Sequence, residues 1–221
     1  MRLPPSPVGL ELVVVAAVAA SCAARSAPPE APPAPEPSAQ PSPEPQPPAP
    51  MADALAGPWG IVEPRFTSFR LPLPDAAAWR VGDEPRGRWL ALHHPGSRSE
   101  LRLRTWRAAR TADPRSCERQ ARLWRPQIPS PDAAAVLDEG HISAPAGFHT
   151  RVISSVEAAE SGLKGAVLAF GASPGRCFAL VFETWASGKW AAAAVGERVA
   201  QIRERSLPRV ELRAIDDRAA D

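Results

Sequence analysis

The residues able to do chemistry are few and dispersed. Gly171-Ala172-Ser173-Pro174-Gly175 has the G-x-S-x-G spacing of a nucleophile elbow, in which a serine sits on a strand-to-helix turn and the amide after it helps hold an oxyanion. Pro174 has no amide hydrogen and the segment leads into a strand-like run, so a hairpin turn is the expectation. His93, His94, His141 and His149 are the only imidazoles, with no H-E-x-x-H pattern and no cysteine at zinc-ligand spacing. Neighbours on a strand point to opposite faces, so His93 and His94 do not easily serve one site. Structural histidines, and no metal, are expected. The carboxylates are scattered and name no general acid–base pair, so no catalytic residue is assigned; a hydrolase using Ser173 or a histidine is the alternative. Arg102, Arg104, Trp106 and Arg107 form a candidate anion-binding face, because guanidinium groups beside an indole suit phosphate-rich lipid or another polyanion. The simpler expectation is a solvated strand face whose arginines follow the strand period.

Three cysteines complete the inventory. The first closes a short apolar run: Leu12 to Ala20 reads Leu-Val-Val-Val-Ala-Ala-Val-Ala-Ala, with Arg2 ahead of it and Ala20-Ser21 before Cys22. Bounded by Glu11 and Arg25, this run has the length of a signal-peptide core and falls short of the roughly 20 apolar residues that cross a bilayer as helix. The small residues before Cys22 resemble the lipobox of bacterial lipoproteins, although Ala19 stands where Leu is usual. That resemblance implies a signal peptide over residues 1–21, diacylation of Cys22, and a lipid bilayer as the partner held through its acyl chains. By resemblance to proteobacterial sorting signals, Ala23 implies the periplasmic face of the outer membrane. Two alternatives stay open: cleavage after Ala17-Val18-Ala19, leaving Cys22 a free thiol, and translation from Met51. With Cys22 carrying lipid, Cys117 and Cys177 are left as a pair that an oxidising compartment would join. The alternative is two buried thiols.

Residues 22–56 are built from Pro, Ala, Glu, Ser and Gln, including Pro28-Pro29, Pro32-Pro33 and Pro47-Pro48, and have nothing to bury. A disordered, extended tether is expected, reaching on the order of 90 Å at about 3.1 Å per residue. Residues 57–213 are enough for one domain with its own core, and 214–221 read as a polar tail. Net charge is only +2, but residues 57–126 hold fourteen arginines against seven acids while residues 127–221 hold ten basic groups against twelve acidic ones. No cofactor and no nucleic acid are expected.

The elements that would position these groups follow from periodicity. Phe66–Leu73, Trp89–His94 and Glu100–Arg107 read as strands, the last alternating Leu101, Leu103 and Thr105 against Arg102, Arg104 and Trp106. Asp113 and Pro114 open a helix that runs to about Arg125, with Cys117, Ala121 and Trp124 turned to the core. Runs at 148–157, 163–170 and 176–185 read as an antiparallel meander. The last is apolar on both sides, Phe178, Leu180 and Phe182 against Cys177, Ala179 and Val181, and is expected at the centre of the sheet. A final helix over Ser187–Arg205 lines up Ala192, Val195, Val199 and Ile202. The fold class is α+β: a single domain, mainly antiparallel sheet covered by helices.

This element order, with the opening Leu71-Pro72-Leu73-Pro74 to Trp79-Arg80-Val81, resembles the PsbP/Mog1-like α/β/α sandwich domains of many bacterial lipoproteins. The resemblance implies a non-catalytic binding or accessory role without choosing a ligand. The functional expectation is a membrane-anchored cell-envelope lipoprotein with a non-enzymatic interaction domain, whose partner is an envelope protein or an anionic glycolipid.

Overall fold

The double-sided apolar alternation from Cys177 to Phe182 places its strand in the interior of the largest sheet. A computed structural model of the chain describes residues 55, 57–64, 69–82, 89–131 and 134–212. All of them fall within one compact unit, Pro45–Asp221. In chain order the elements are β1 (Gly60–Val62), β2 (Phe69–Leu73), β3 (Arg80–Gly82), β4 (Leu90–His94), β5 (Ser99–Arg107), helix α1 (Pro114–Trp124), β6 (Ala135–Ile142), β7 (His149–Ala159), β8 (Gly162–Ser173), β9 (Arg176–Ala186), helix α2 (Ala191–Gln201) and β10 (Glu211–Leu212). Seven strands pair in the order β3-β4-β5-β9-β8-β7-β6, and β1-β2-β10 make a second sheet of three. Every pairing is antiparallel.

The two faces of the large sheet bury different layers. Phe178, Leu180 and Phe182 meet Leu101, Leu103, Val152 and Val167, and α2 closes over them with Val195 and Val199 while β2 adds Leu71 and Leu73. On the opposite face Cys177, Ala179 and Val181 join Ile153, Leu168 and Phe170 beneath Cys117 and Ala121 of α1. Each fully buried Leu or Phe contributes about 1.5–3 kcal/mol relative to exposure, so this strand alternation sets where both helices must sit. Helices lie on both faces of an antiparallel sheet, which is the α+β class expected.

Several boundaries differ from the sequence pattern for physical reasons. The packed region reaches back to Leu55, buried in the larger core and inside the segment that composition assigns to the tether. The last helix begins at Ala191, not Ser187, because Gly188 takes φ 84° and its carbonyl accepts from the Ala191 amide in a turn. Ala191 is buried in place of Ala192, and beyond Gln201 the helix widens into a π-type turn over Ile202–Ser206. Trp124 is 41% exposed, so it lies at the rim of the core and not within it. The meander is present and longer than its apolar runs, and β6 adds an edge strand beside it. Phe66 to Ser68 of the first expected strand, the signal peptide at 1–21, Cys22, the tether apart from Leu55, and the tail at 214–221 lie outside the described residues.

Close approach of α2 to β8 depends on Gly165, where an added Cβ would lie 2.4 Å from Val195 Cγ1 and 3.0 Å from Val199 Cγ2. Gly165→Ala is expected to cost about 1–3 kcal/mol by overpacking, read as a lower urea midpoint with an unchanged slope.

Candidate functional site

Cys117 and Cys177 are joined, with Cα atoms 5.7 Å apart and 60 residues between them in sequence. Local sequence aims both sulfurs. Asp113 caps α1, accepting the Ser116 amide at 2.6 Å while the Ser116 hydroxyl accepts the Asp113 amide at 2.9 Å, and Pro114 follows at the first helical position. The backbone hydrogen bond from Ser116 holds the Asp113 carboxyl below the ordinary carboxylate range. Cys177 opens β9 opposite Trp106. The small Ala179 on the same face leaves room for the helix.

The candidate anion-binding face on β5 is divided. Trp106 is buried in the α1-side core and meets Trp124 edge-on at 5.1 Å. The Arg104 guanidinium lies 3.6 Å from the centre of the Trp124 ring. Arg102 is ion-paired with Glu100 and, at 3.4 Å, with Glu183. Arg107 is exposed, and its register partner is Arg176. The four side chains therefore occupy different environments, with two of them already committed to an internal ion pair or an indole face.

Ser173 ends β8 as the register partner of Arg176, and the chain turns through Pro174 and Gly175, whose φ of 79° is the left-handed conformation such a turn uses. The segment is a β-hairpin, so it does not make the strand-to-helix turn of a nucleophile elbow. The histidines separate as strand geometry requires. His93 faces Glu100 at 3.3 Å on the surface, whereas His94 is 2% exposed. His141 and His149 stack with centroids 5.1 Å apart and an interplanar angle of 5°. Beside them Arg151 bonds Glu139 at 2.8 Å and also pairs with Glu118. That hydrogen bond lowers the Glu139 pKa and raises that of Arg151. Among the described residues no group of three or more His, Cys, Asp or Glu is placed to hold a metal ion, and no helix is long and apolar enough to cross a membrane.

The constellation that sequence reading missed surrounds His94. Its Nε2–H donates to Asp75 Oδ2 at 3.1 Å, and its Nδ1 accepts the Ser97 amide at 3.1 Å, which fixes the tautomer. Ser97 Oγ donates to Ser99 Oγ at 2.7 Å, and Ser99 Oγ donates to Thr184 Oγ1 at 2.8 Å. Arg198, on α2, then donates from Nη1 to Thr184 Oγ1, the Ser97 carbonyl and the Trp185 carbonyl at 3.1–3.2 Å. Burial lowers the Arg198 pKa, with the Glu197 charge opposing the shift. Asp75, His94 and Ser97 have the composition of a charge-relay triad. Ser97 Oγ lies 2.9 Å from Nδ1, which also accepts the Ser97 amide, and Ser97 is 1% exposed, so the hydroxyl is enclosed within the fold. The arrangement is a brace between the Asp75 turn, the β4–β5 turn, β9 and α2. The available signal was modest: Thr184 and Arg198 are polar residues on otherwise apolar faces.

No protein-family model matches the chain, and no curated protein matches it. Among solved structures it is similar to a protein from Bacteroides thetaiotaomicron, with 14% identity and a TM-score of 0.37 over 66% of this chain and 46% of that one. It is also similar to LpqN of Mycobacterium tuberculosis, described as involved in cell envelope biogenesis, with 16% identity and a TM-score of 0.41 over 67% of this chain and 89% of that one. The chain thus spans less than half the length of the first of these. At these values neither establishes a shared fold.

Two stability outcomes follow from the geometry. Thr184→Val removes an acceptor from both Ser99 and Arg198 and is expected to cost about 1–3 kcal/mol in urea unfolding. Replacing both Cys117 and Cys177 by alanine opens the covalent loop and is expected to cost about 4 kcal/mol on the chain-entropy account, measured against the oxidised parent.

Proposed function

We propose that this chain is a bacterial cell-envelope lipoprotein, anchored through diacylated Cys22, whose disulfide-bonded domain works as a non-enzymatic interaction module at the periplasmic face of the outer membrane. The carrying observation is the joined Cys117–Cys177 pair, because such bonds persist in oxidising compartments and the lipobox-like Ala20-Ser21-Cys22 sequence gives the third cysteine a separate use. The Pro-rich composition of residues 22–56 suits a spacer between lipid and domain. A PsbP/Mog1-like assignment of the domain is supported by the order of strands, α1, meander and α2, with helices on both faces of an antiparallel sheet. Action by binding is supported by the hairpin setting of Ser173 and the closed surroundings of His94. Its partners in this reading are the bilayer and an envelope protein or anionic glycolipid.

Intact-mass measurement on native, detergent-extracted protein tests the reading. The expected species begins at Cys22, carries acyl mass, and loses no further thiols to alkylation until reduced. Cys22→Ala is expected to abolish membrane fractionation. A soluble, unacylated chain with two alkylatable thiols would overturn the proposal.

A further inference from the structure

We propose that the outward stripe of α1 docks the domain onto the anionic headgroup surface of a membrane, an inference that deepens the envelope reading by naming a contact surface. Arg115, Arg119 and Leu123 follow one another at four-residue spacing, on the side of the helix away from buried Cys117 and Ala121. All three are exposed, Leu123 at 75%. Among the described residues Leu123 is the most exposed of the large hydrophobic side chains.

Asp113 feels the charge of both arginines and Glu139 that of Arg115, yet no close ion pair forms. Among the described residues neither Arg115 nor Arg119 takes part in an ion pair. The acids of this segment are occupied elsewhere: Glu118 pairs with Arg122 and Arg151, and Asp113 caps the helix. The stripe is also rigid. The disulfide fastens the second turn of α1 to β9, while Trp124 is gripped between the Trp106 edge contact and the Arg104 guanidinium. The helix is therefore held in one orientation, and its outward stripe meets a surface without ordering cost at the moment of contact.

Anionic headgroups match this surface better than a soluble polyanion does. Phosphate groups would neutralise the two arginines, and the boundary between headgroups and acyl chains would receive Leu123. A soluble polyanion would satisfy the arginines and leave Leu123 in water.

The test uses the full chain carrying Cys22→Ser, so that no acyl group contributes, mixed at low ionic strength with phosphatidylcholine vesicles with or without phosphatidylglycerol. Expected are co-sedimentation with the phosphatidylglycerol vesicles alone and release as salt rises. Arg115→Glu with Arg119→Glu is expected to lower partitioning at least roughly tenfold, and Leu123→Ser to lower it measurably, both with the parent's urea midpoint. Absence of partitioning, equal binding to both vesicle types, or variants that bind like the parent would overturn the inference. So would heparin binding that Leu123→Ser leaves intact while vesicles bind nothing. A blank assay with Cys22 acylated in cells defeats the docking surface and spares the anchor, and vesicle binding with Cys22 unmodified in cells does the reverse.

Discussion

The unequal faces of β9 govern the rest of the architecture. On one side Phe178, Leu180 and Phe182 project bulk that only a deep layer can cover, and α2 together with β2 supplies it. On the other side Cys177, Ala179 and Val181 are small, so α1 can settle close enough for the Cys117 and Cys177 Cα atoms to stand 5.7 Å apart. A larger residue at position 179 would lift the helix and separate the sulfurs. The covalent link is thus a consequence of packing at the centre of the sheet, and it then holds α1 against the face that has the thinner core.

How much of this was legible depended on burial. Strands and helices with an apolar face announce themselves: the alternation in β5, the cap at Asp113-Pro114 and the two-sided apolar run of β9 are each visible as residue pattern. Edge elements do not. Ala-Val-Leu-Asp-Glu-Gly-His-Ile makes β6, whose first five residues are exposed and whose register is broken between Val136 and Asp138, so no period of two survives. The short β1, β3 and β10 are formed by pairing with β2 and β4, and their own residues carry little preference. The start of α2 was misread for a different reason: an alanine-rich run has helical propensity throughout, and the boundary is set by the backbone of Gly188.

The polar brace was hidden more completely. Ser99 and Thr184 are 85 residues apart, and Arg198 reaches the Ser97 carbonyl across 101. Nothing local links them. Only after β5 pairs with β9 and α2 lies across the sheet do these groups converge, and burial then requires that each find a partner. Arg198 is held by neutral oxygens, which explains why its charge is disfavoured by burial yet tolerated, and why one hydroxyl, that of Thr184, serves both it and Ser99.

The same accounting changes the meaning of the arginine-rich half. Counted along the chain, its excess of positive charge reads as one broad basic surface, yet much of it is spent inside the fold. A ladder runs across the large sheet from Lys164 to Glu183, Arg102, Glu100 and His93, alternating in sign at every step when His93 is protonated. Glu118 gathers Arg122 and Arg151, and Arg70 is shared by Glu63 and Glu211. Arg98 lies over Trp185 and Arg205 over Trp59, where the guanidinium faces a ring. A cation engaged in this way has given up part of its hydration and its freedom to reorient, so it attracts a distant anion less than an unpaired one does. The number of arginines is therefore a poor guide to free positive charge: Arg115 and Arg119 on the outer side of α1 stay outside every ion pair formed among the described residues, as do exposed Arg80, Arg110 and Arg209, and only the α1 pair has exposed Leu123 one turn further along.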